Sequence, residues 1–227
     1  MNNFKLIIRH LFAAILLISA VTFVSCGDGA GGKEEGIIEF DTKGVDETHP
    51  LYNLAPTSAT LKFKKEKFIL EMSVMGMFNT TIIGDSKAKT MAQTVKFLNI
   101  KQACIETEKD LVADNLDFAL KIEETDETKE IIGLKCHKAK VTKISDPTVT
   151  FDVWYTKELG MKDCNALTPY AQLEGVLVDY RIKKMGMEMH FSAKSYKSAE
   201  IPDNTFEIPA SMKIVSKEEM TAFFAKL

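Results

Sequence analysis

The sequence predicts a mainly β domain with an antiparallel sheet and a helix at the C-terminus. Three observations predict this class: apolar and polar residues alternate with a period of two, turn-rich breaks separate the alternating segments, and a capped amphipathic segment ends the chain. The breaks are too short for the crossovers that parallel strands require, so consecutive strands are expected to pair antiparallel.

The alternation is clearest in five segments, where one face of a strand is apolar and the other is polar. These segments are residues 61–64, 68–74, 149–156, 176–183 and 185–194. In the last of them, one face carries three methionines followed by Phe191 and Ala193. Each segment is therefore expected to be a strand with one buried face.

Helices are expected to be few. Ser216 and Glu219 form an S-x-x-E capping box ahead of an apolar stripe that ends at Leu227. This stripe is expected to pack on the sheet. Shorter helical turns are expected over residues 108–115 and 162–173.

The first residues have the arrangement of an export signal. Residues 1–25 carry Lys5, Arg9 and His10 and no acidic residue. Within them, residues 11–24 are almost wholly apolar, as in secretory signals. The run ends in a sequence that resembles a bacterial lipobox, so Cys26 is expected to carry a lipid and to become the mature N-terminus. Residues 26–36 then form a flexible tether, and residues 37–227 form a single domain.

Charge and composition exclude several classes of protein. The 227 residues contain 29 basic and 32 acidic side chains, a net charge of -3, so the basic excess that binds nucleic acid is missing. An apolar content of 45% is typical of a folded chain and not of a disordered one. We therefore expect a folded exported domain with no nucleic-acid partner.

No motif of an enzyme, a cofactor site or a metal site is recognised. The predicted mature chain contains His49, His137 and His190, without an H-E-x-x-H or a G-x-S-x-G motif. Cys136 and His137 are neighbours on a predicted strand, so their side chains are expected on opposite faces and cannot act on one atom. The chain is therefore expected not to be an enzyme.

Three cysteines follow Cys26, and one disulfide is expected in an oxidising compartment. Cys136 is expected to be one partner, and the sequence leaves the choice between Cys104 and Cys164 open.

The methionines leave three interpretations open. Six of them cluster, three around residues 72–77 and three at alternate positions over residues 185–189. They could fill a packed core, they could form an adaptable apolar wall around a ligand, or their soft sulfur atoms could bind Cu(I). Same-face residues lie nearly 7 Å apart along a strand, too far for three thioethers to reach one ion easily.

The run Ile131-Ile132-Gly133-Leu134-Lys135-Cys136-His137, with later matches at residues 153–159, 173–177 and 206–210, resembles an uncharacterised family of exported lipoproteins. That family is related to GLPGLI proteins and, through them, is similar to LolA, LolB and LppX. The resemblance implies a strongly curved sheet or half-barrel, with helices over an apolar cavity for acyl chains.

The function that this resemblance implies is binding or carrying a lipid, an acyl chain or another hydrophobic molecule. The residues expected to line the cavity are Met72, Val74, Trp154, Val178, Tyr180, Met185, Met187, Met189 and Phe191. The alternatives are a structural envelope lipoprotein with a packed core and a Cu(I)-binding module. The protein is expected at the outer membrane, facing the periplasm and held there by the lipid on Cys26.

Overall fold

Twelve strands form one open sheet in the computed structural model, which describes residues 33–74, 76, 78–184 and 186–226. Cys26, Met75, Met77 and Met185 lie outside the described residues. The strands are β1 (Glu35–Gly44), β2 (Ser58–Lys64), β3 (Lys67–Val74), β4 (Phe78–Asp85), β5 (Thr90–Phe97), β6 (Ile100–Thr107), β7 (Leu120–Ile131), β8 (Leu134–Lys143), β9 (Thr150–Thr156), β10 (Val176–Lys184), β11 (Met187–Ser198) and β12 (Lys213–Ile214). The predicted mainly β class is confirmed.

The sheet consists of two meanders joined by one pair of strands. Its order is β12-β6-β5-β4-β3-β2-β1-β11-β10-β9-β8-β7, so β1–β6 form one run and β7–β11 form the other. Only β1 and β11 join the two runs, with Gly36 opposite Ser198 and Gly44 opposite Met189. The described strand pairs are antiparallel, as predicted, except that the two-residue β12 runs parallel to β6.

Two short helices complete the regular structure of the described chain, together with three short 3-10 turns. Helix α1 spans Glu108–Asn115 and helix α2 spans Lys217–Phe224. The predicted capping box of α2 is present, because the Glu219 amide donates to Ser216 Oγ at 3.2 Å and the Ser216 amide donates to Glu219 Oε2 at 3.0 Å. No helix in the described residues is long and apolar enough to cross a membrane.

The segment 162–173 is not a helix, which corrects the expectation of a helical turn there. Its backbone forms successive turns, with the Thr168 amide donating to Asn165 O at 2.8 Å and the Leu173 amide donating to Tyr170 O at 2.9 Å. Tyr170 and Leu173 are fully buried in the main core, so tertiary packing determines this conformation.

The main core lies on the face of the sheet that carries Phe40, which we call the inner face. Phe40 packs edge-on against Phe191 and Tyr180, with ring centroids 6.0 and 6.1 Å apart, and Tyr180 stacks on Phe191 at 5.0 Å. A smaller cluster on the opposite, outer face packs Ile201 and Phe206 against strands β3–β5. Both faces of the sheet are therefore partly covered.

Gly175 allows the segment 162–175 to approach the end of β9 closely. Gly175 has φ +111°, and a Cβ placed on it would lie 2.2 Å from the backbone oxygen of Thr156. Its own carbonyl accepts a hydrogen bond from Asn165 Nδ2 at 2.7 Å. Both the positive φ of residue 175 and the nearby backbone oxygen of Thr156 therefore require glycine at this position.

We expect Gly175→Ala to lower the free energy of unfolding by about 2 to 4 kcal/mol, because it adds a backbone clash to the strain of a positive φ. The control is Gly133→Ala, at φ +76°, where an added Cβ would have no atom within 4 Å. The control should lose only about 1 to 2 kcal/mol, from the backbone strain alone. Urea denaturation measures the free energy of unfolding of both variants. Equal decreases in the two variants would contradict the close approach of residue 175 to Thr156.

Candidate functional site

A cleft of about 680 Å³ opens on the inner face between β5, β6, the β10–β11 turn and the two helices. We call it the polar cleft. It is lined by His49, Pro50, Leu51, Gln93, Cys104, Glu106, Asp114, Asn115, Asp117, Phe118, Pro169, Ile182, Lys183, Lys184, Gly186, Lys217, Met220, Thr221, Phe224 and Ala225. Its volume lies within the range of roughly 300 to 1,000 Å³ that small-molecule sites occupy.

A buried carboxylate lies at the centre of the charged part of the cleft. The side chain of Glu106 is 7% exposed, and its Oε1 lies 3.5 Å from Lys217 Nζ. The same ammonium group lies 2.7 Å from Asp114 Oδ1 and donates to Asp110 O at 3.0 Å. Lys217 thus ties the start of α2 to α1 and to β6.

Burial raises the pKa of Glu106 above its usual range, and the neighbouring Asp114 carboxylate adds to this effect. The positive charges of Lys184 and Lys217 oppose the shift without cancelling it. A buried acid with a raised pKa in a cleft is a candidate donor of a proton or of a hydrogen bond.

Gln93 adds an unused donor to the same wall. Its Nε2 is buried and has no hydrogen-bond partner among the described residues. Gln93 is paired across the strands with Cys104, which lies two positions before Glu106. A buried donor without a partner costs about 1 to 3 kcal/mol, which a polar ligand group could recover.

A second, apolar space adjoins the cleft but is too small for a lipid. It measures about 90 Å³ and shares Asn115, Pro169, Ile182 and Lys184 with the polar cleft. A void of roughly 150 Å³ holds only a molecule the size of benzene. This apolar space is therefore too small to hold an acyl chain.

Of the described residues that were predicted to line a ligand cavity, Tyr180 alone lies at this apolar space. The others lie in the packed core or beside it. Met72, Val74, Val178, Met187, Met189 and Phe191 are all buried. Trp154 is half-buried and lies under the Lys129 ammonium group, 3.9 Å from the ring centroid, while Met185 lies outside the described residues.

Among the described residues, no disulfide joins Cys136 to Cys104 or Cys164, which corrects the pairing expected from the sequence. Cys104, Cys136 and Cys164 are free thiols, and Cys136 is fully buried with its Sγ donating to Leu134 O at 3.3 Å. Burial raises the pKa of Cys136 to about 11. Cys164 Sγ donates to Gly175 O at 3.2 Å, so each of these two thiols has a partner other than sulfur.

The histidines do not build a metal or nucleophile site in the described part of the chain. His190 Nε2 lies 2.9 Å from Asp179 Oδ1, and Ser192 Oγ donates to Asp179 Oδ2 at 3.2 Å. The carboxylate stands between the two groups, so the imidazole cannot take the serine proton. Among the described residues no three His, Cys, Asp or Glu side chains are placed to hold a metal ion.

Sequence reasoning missed the residues of the polar cleft. On β6, Gln102, Cys104 and Glu106 share one face while Ala103 and Ile105 share the other, so alternation did not mark the Glu106 face as the buried one. The contributions of Asp114 and Lys217 depend on how two distant helices pack and leave no local pattern. The described residues thus form an open β sheet with a mixed-charge cleft on its inner face.

The comparisons with known proteins identify the family. A family model described as the N-glycanase peptide, N-terminal domain, matches residues 57–172, which is just over half of the chain. The chain belongs to this family. No curated protein matches the sequence.

A solved structure of PNGF-II in the C2 space group has the same fold. Its TM-score is 0.55 at 15% identity, over 85% of this chain and 33% of that one. At this identity the likeness shows the fold alone, and the chain spans about a third of the length of PNGF-II.

These matches correct several expectations. The resemblance to GLPGLI-related lipoproteins with a LolA-like architecture is wrong, because the family model and the structural likeness both lead to the N-glycanase family. The exclusion of enzymes is wrong for the same reason, since the family is glycanase-related. Lipid binding, a purely structural role and Cu(I) binding lose their support as functions, and the expected lipid partner is wrong.

The raised pKa of Glu106 predicts a pH effect on stability. The folded protein keeps this proton at pH values where the unfolded chain, with a pKa near 4.5, has released it. Glu106 therefore makes the free energy of unfolding fall as pH rises from below 4.5 through the folded pKa. Relative to wild type, Glu106→Gln should gain stability over that rise, measured by urea denaturation at several pH values. If the free energy of unfolding of Glu106→Gln relative to wild type stays constant or falls as pH rises, the raised pKa of Glu106 is contradicted.

Proposed function

We propose that this chain is a glycan-directed domain of an N-glycanase-type protein and that it binds the N-linked glycan of a glycoprotein in the polar cleft. The observation that carries the proposal is the cleft itself: a ligand-sized opening with a buried carboxylate, in a chain that belongs to the N-glycanase N-terminal family.

The groups in the cleft match the chemistry of a sugar. Sugar hydroxyls both donate and accept hydrogen bonds, and the cleft offers carboxylate acceptors at Glu106 and Asp114 with donors at Gln93 and Lys184. Phe118 and Ile182 add apolar surface for the C–H faces of a ring. A few convergent polar groups among apolar ones are typical of small-molecule sites.

The small apolar space beside the cleft supports the same ligand. It is lined by Leu167 and Tyr180, and it shares Pro169 and Ile182 with the polar cleft. A space of about 90 Å³ suits a compact apolar group such as the methyl of an acetamido substituent. A ligand could therefore place its hydroxyls in the cleft and one methyl group in this space.

Hydrolysis is a second candidate function, favoured by the raised pKa of Glu106 and by the nearness of a second carboxyl group, that of Asp114. Two neighbouring carboxyl groups, one of them with a raised pKa, can act as a proton donor and a proton acceptor. In this alternative the two residues would assist glycan release instead of only binding the glycan.

We further propose that the sheet is strongly curved, as a half-barrel, with α2 at its rim. Supporting this, Ile82 on β4, Met91 on β5 and Tyr180 on β10 line one small space, although several strands separate them in the sheet order. A flat sheet would hold these strands far apart, since neighbouring strands lie about 4.8 Å from each other.

The export route and the domain boundaries are part of this proposal as well. Removal of residues 1–25, lipidation of Cys26, a tether over residues 26–36, a single domain over 37–227 and an outer-membrane location facing the periplasm all stay predictions from the sequence. Strand β1 begins two residues before the predicted domain boundary, at Glu35.

The test is calorimetric titration of the full chain with an asparagine-linked biantennary glycopeptide. Wild type should bind saturably, and Glu106→Gln should bind at least about tenfold more weakly, because it loses a hydrogen bond of a charged or acidic group. Glu123→Gln, an exposed carboxylate on β7 paired with Lys121 at 2.7 Å, is the matched control and should bind as wild type does.

Mass spectrometry of the same mixtures decides between the two candidates. An intact glycopeptide after long incubation supports binding alone, whereas a released glycan that disappears in Glu106→Gln supports hydrolysis. No saturable binding and no release, or an equal effect of Glu123→Gln, would overturn the proposed function.

A further inference from the structure

A second groove lies on the outer face, opposite the polar cleft. It follows a row of polar residues directly across four neighbouring strands: Thr60 pairs with Glu71, Glu71 with Thr81, and Thr81 with Thr94. Three gaps between strands of about 4.8 Å each make this row about 14 Å long. We call it the hydroxyl groove.

A second row widens the floor of the groove. Ser73, Asn79 and Lys96 are paired across β3, β4 and β5, two positions along from the first row and on the same face. Hydroxyl and amide groups thus repeat in two directions over one surface. The groove encloses about 630 Å³.

The wall of the groove is fixed by packing and by an ion pair. Residues 204–212 form this wall, and Phe206 beside them is buried with Ile69 and Ile83 of the outer face. Lys64 Nζ lies 2.8 Å from Asp203 Oδ1 and also donates to Ile201 O at 3.1 Å. The wall therefore stands in place before any ligand binds, which reduces the ordering cost of binding.

The charges in the groove are close to balance. Glu71 is paired with Lys62 at 2.7 Å, and Thr60 Oγ1 donates to Glu39 Oε2 at 2.9 Å. Lys96 and Glu207 both line the groove and carry opposite charges. Neither a strongly anionic nor a strongly cationic ligand is favoured, and a polar floor does not suit an acyl chain.

We propose that the hydroxyl groove binds a neutral oligosaccharide that runs across strands β2–β5, as a second carbohydrate site separate from the polar cleft. Serine and threonine hydroxyls and the asparagine amide both donate and accept, as the hydroxyls of a neutral sugar chain do. Pro209, an exposed residue in the wall of the groove, gives apolar contact for a ring face. The proposal rests on the geometry of this face and does not depend on the function of the cleft.

The test is titration of the full chain with three neutral probes: cellohexaose, maltohexaose and a free high-mannose N-glycan. The groove variant is Thr60→Val with Thr81→Val, which removes two hydroxyls and keeps the side-chain shape and strand preference. For the probe that wild type binds, the groove variant should have an affinity about tenfold lower, because two hydrogen bonds are lost. Thr150→Val, an exposed threonine on β9, should bind as wild type does.

Glu106→Gln separates this site from the polar cleft. If the probe binds in the hydroxyl groove, Glu106→Gln should bind the probe as wild type does, even where its affinity for the glycopeptide falls. The proposal is overturned if no probe binds wild type saturably, if the groove variant binds as wild type does, or if Glu106→Gln removes the binding while the groove variant keeps it.

Discussion

The pairing of β1 with β11 is the interaction on which the rest of the structure depends. Each meander can form from strands that follow one another in the chain, but this seam joins residues about 150 positions apart. Loop closure of that length carries a large entropy cost, which local hydrogen bonds alone do not offset. Phe40 on β1 and Phe191 on β11 supply the burial at the seam, with Tyr180 of β10 against both rings.

The seam also determines where the polar cleft forms. Glu106 belongs to the first meander and Lys184 to the second, and α1 crosses from one to the other. The chain then returns along the outer face through Phe206 and ends in α2, where Lys217 reaches Glu106 and Asp114. The cleft therefore exists only when both meanders and the returning segment are in place, which explains why its residues come from so many parts of the sequence.

Local patterns in the sequence predicted five of the twelve described strands and both helices, since the helical turn expected over residues 108–115 is α1. Alternation placed β2, β3, β9, β10 and β11, and the capping box placed α2, because both signals depend on near neighbours. The long-range seam, the turns over 162–173 and the family were not available from such patterns. The methionines of β11 illustrate the limit: Met187 and Met189 have the predicted buried face, but the structure packs that face into a core, and alternation cannot distinguish a core from a cavity.

The most direct measurement of the central claim is amide hydrogen exchange of the full chain with and without the biantennary glycopeptide. If the glycan binds in the polar cleft, exchange with the glycopeptide should be slower around Glu106 and Lys184 and over α1 and α2. These are the parts of the chain where the two meanders and the returning segment meet. Strands β8 and β9, far along the second meander, should exchange at the same rate in both samples. Protection confined to those strands, or no change anywhere while the glycopeptide is bound, would contradict a glycan site built across the seam.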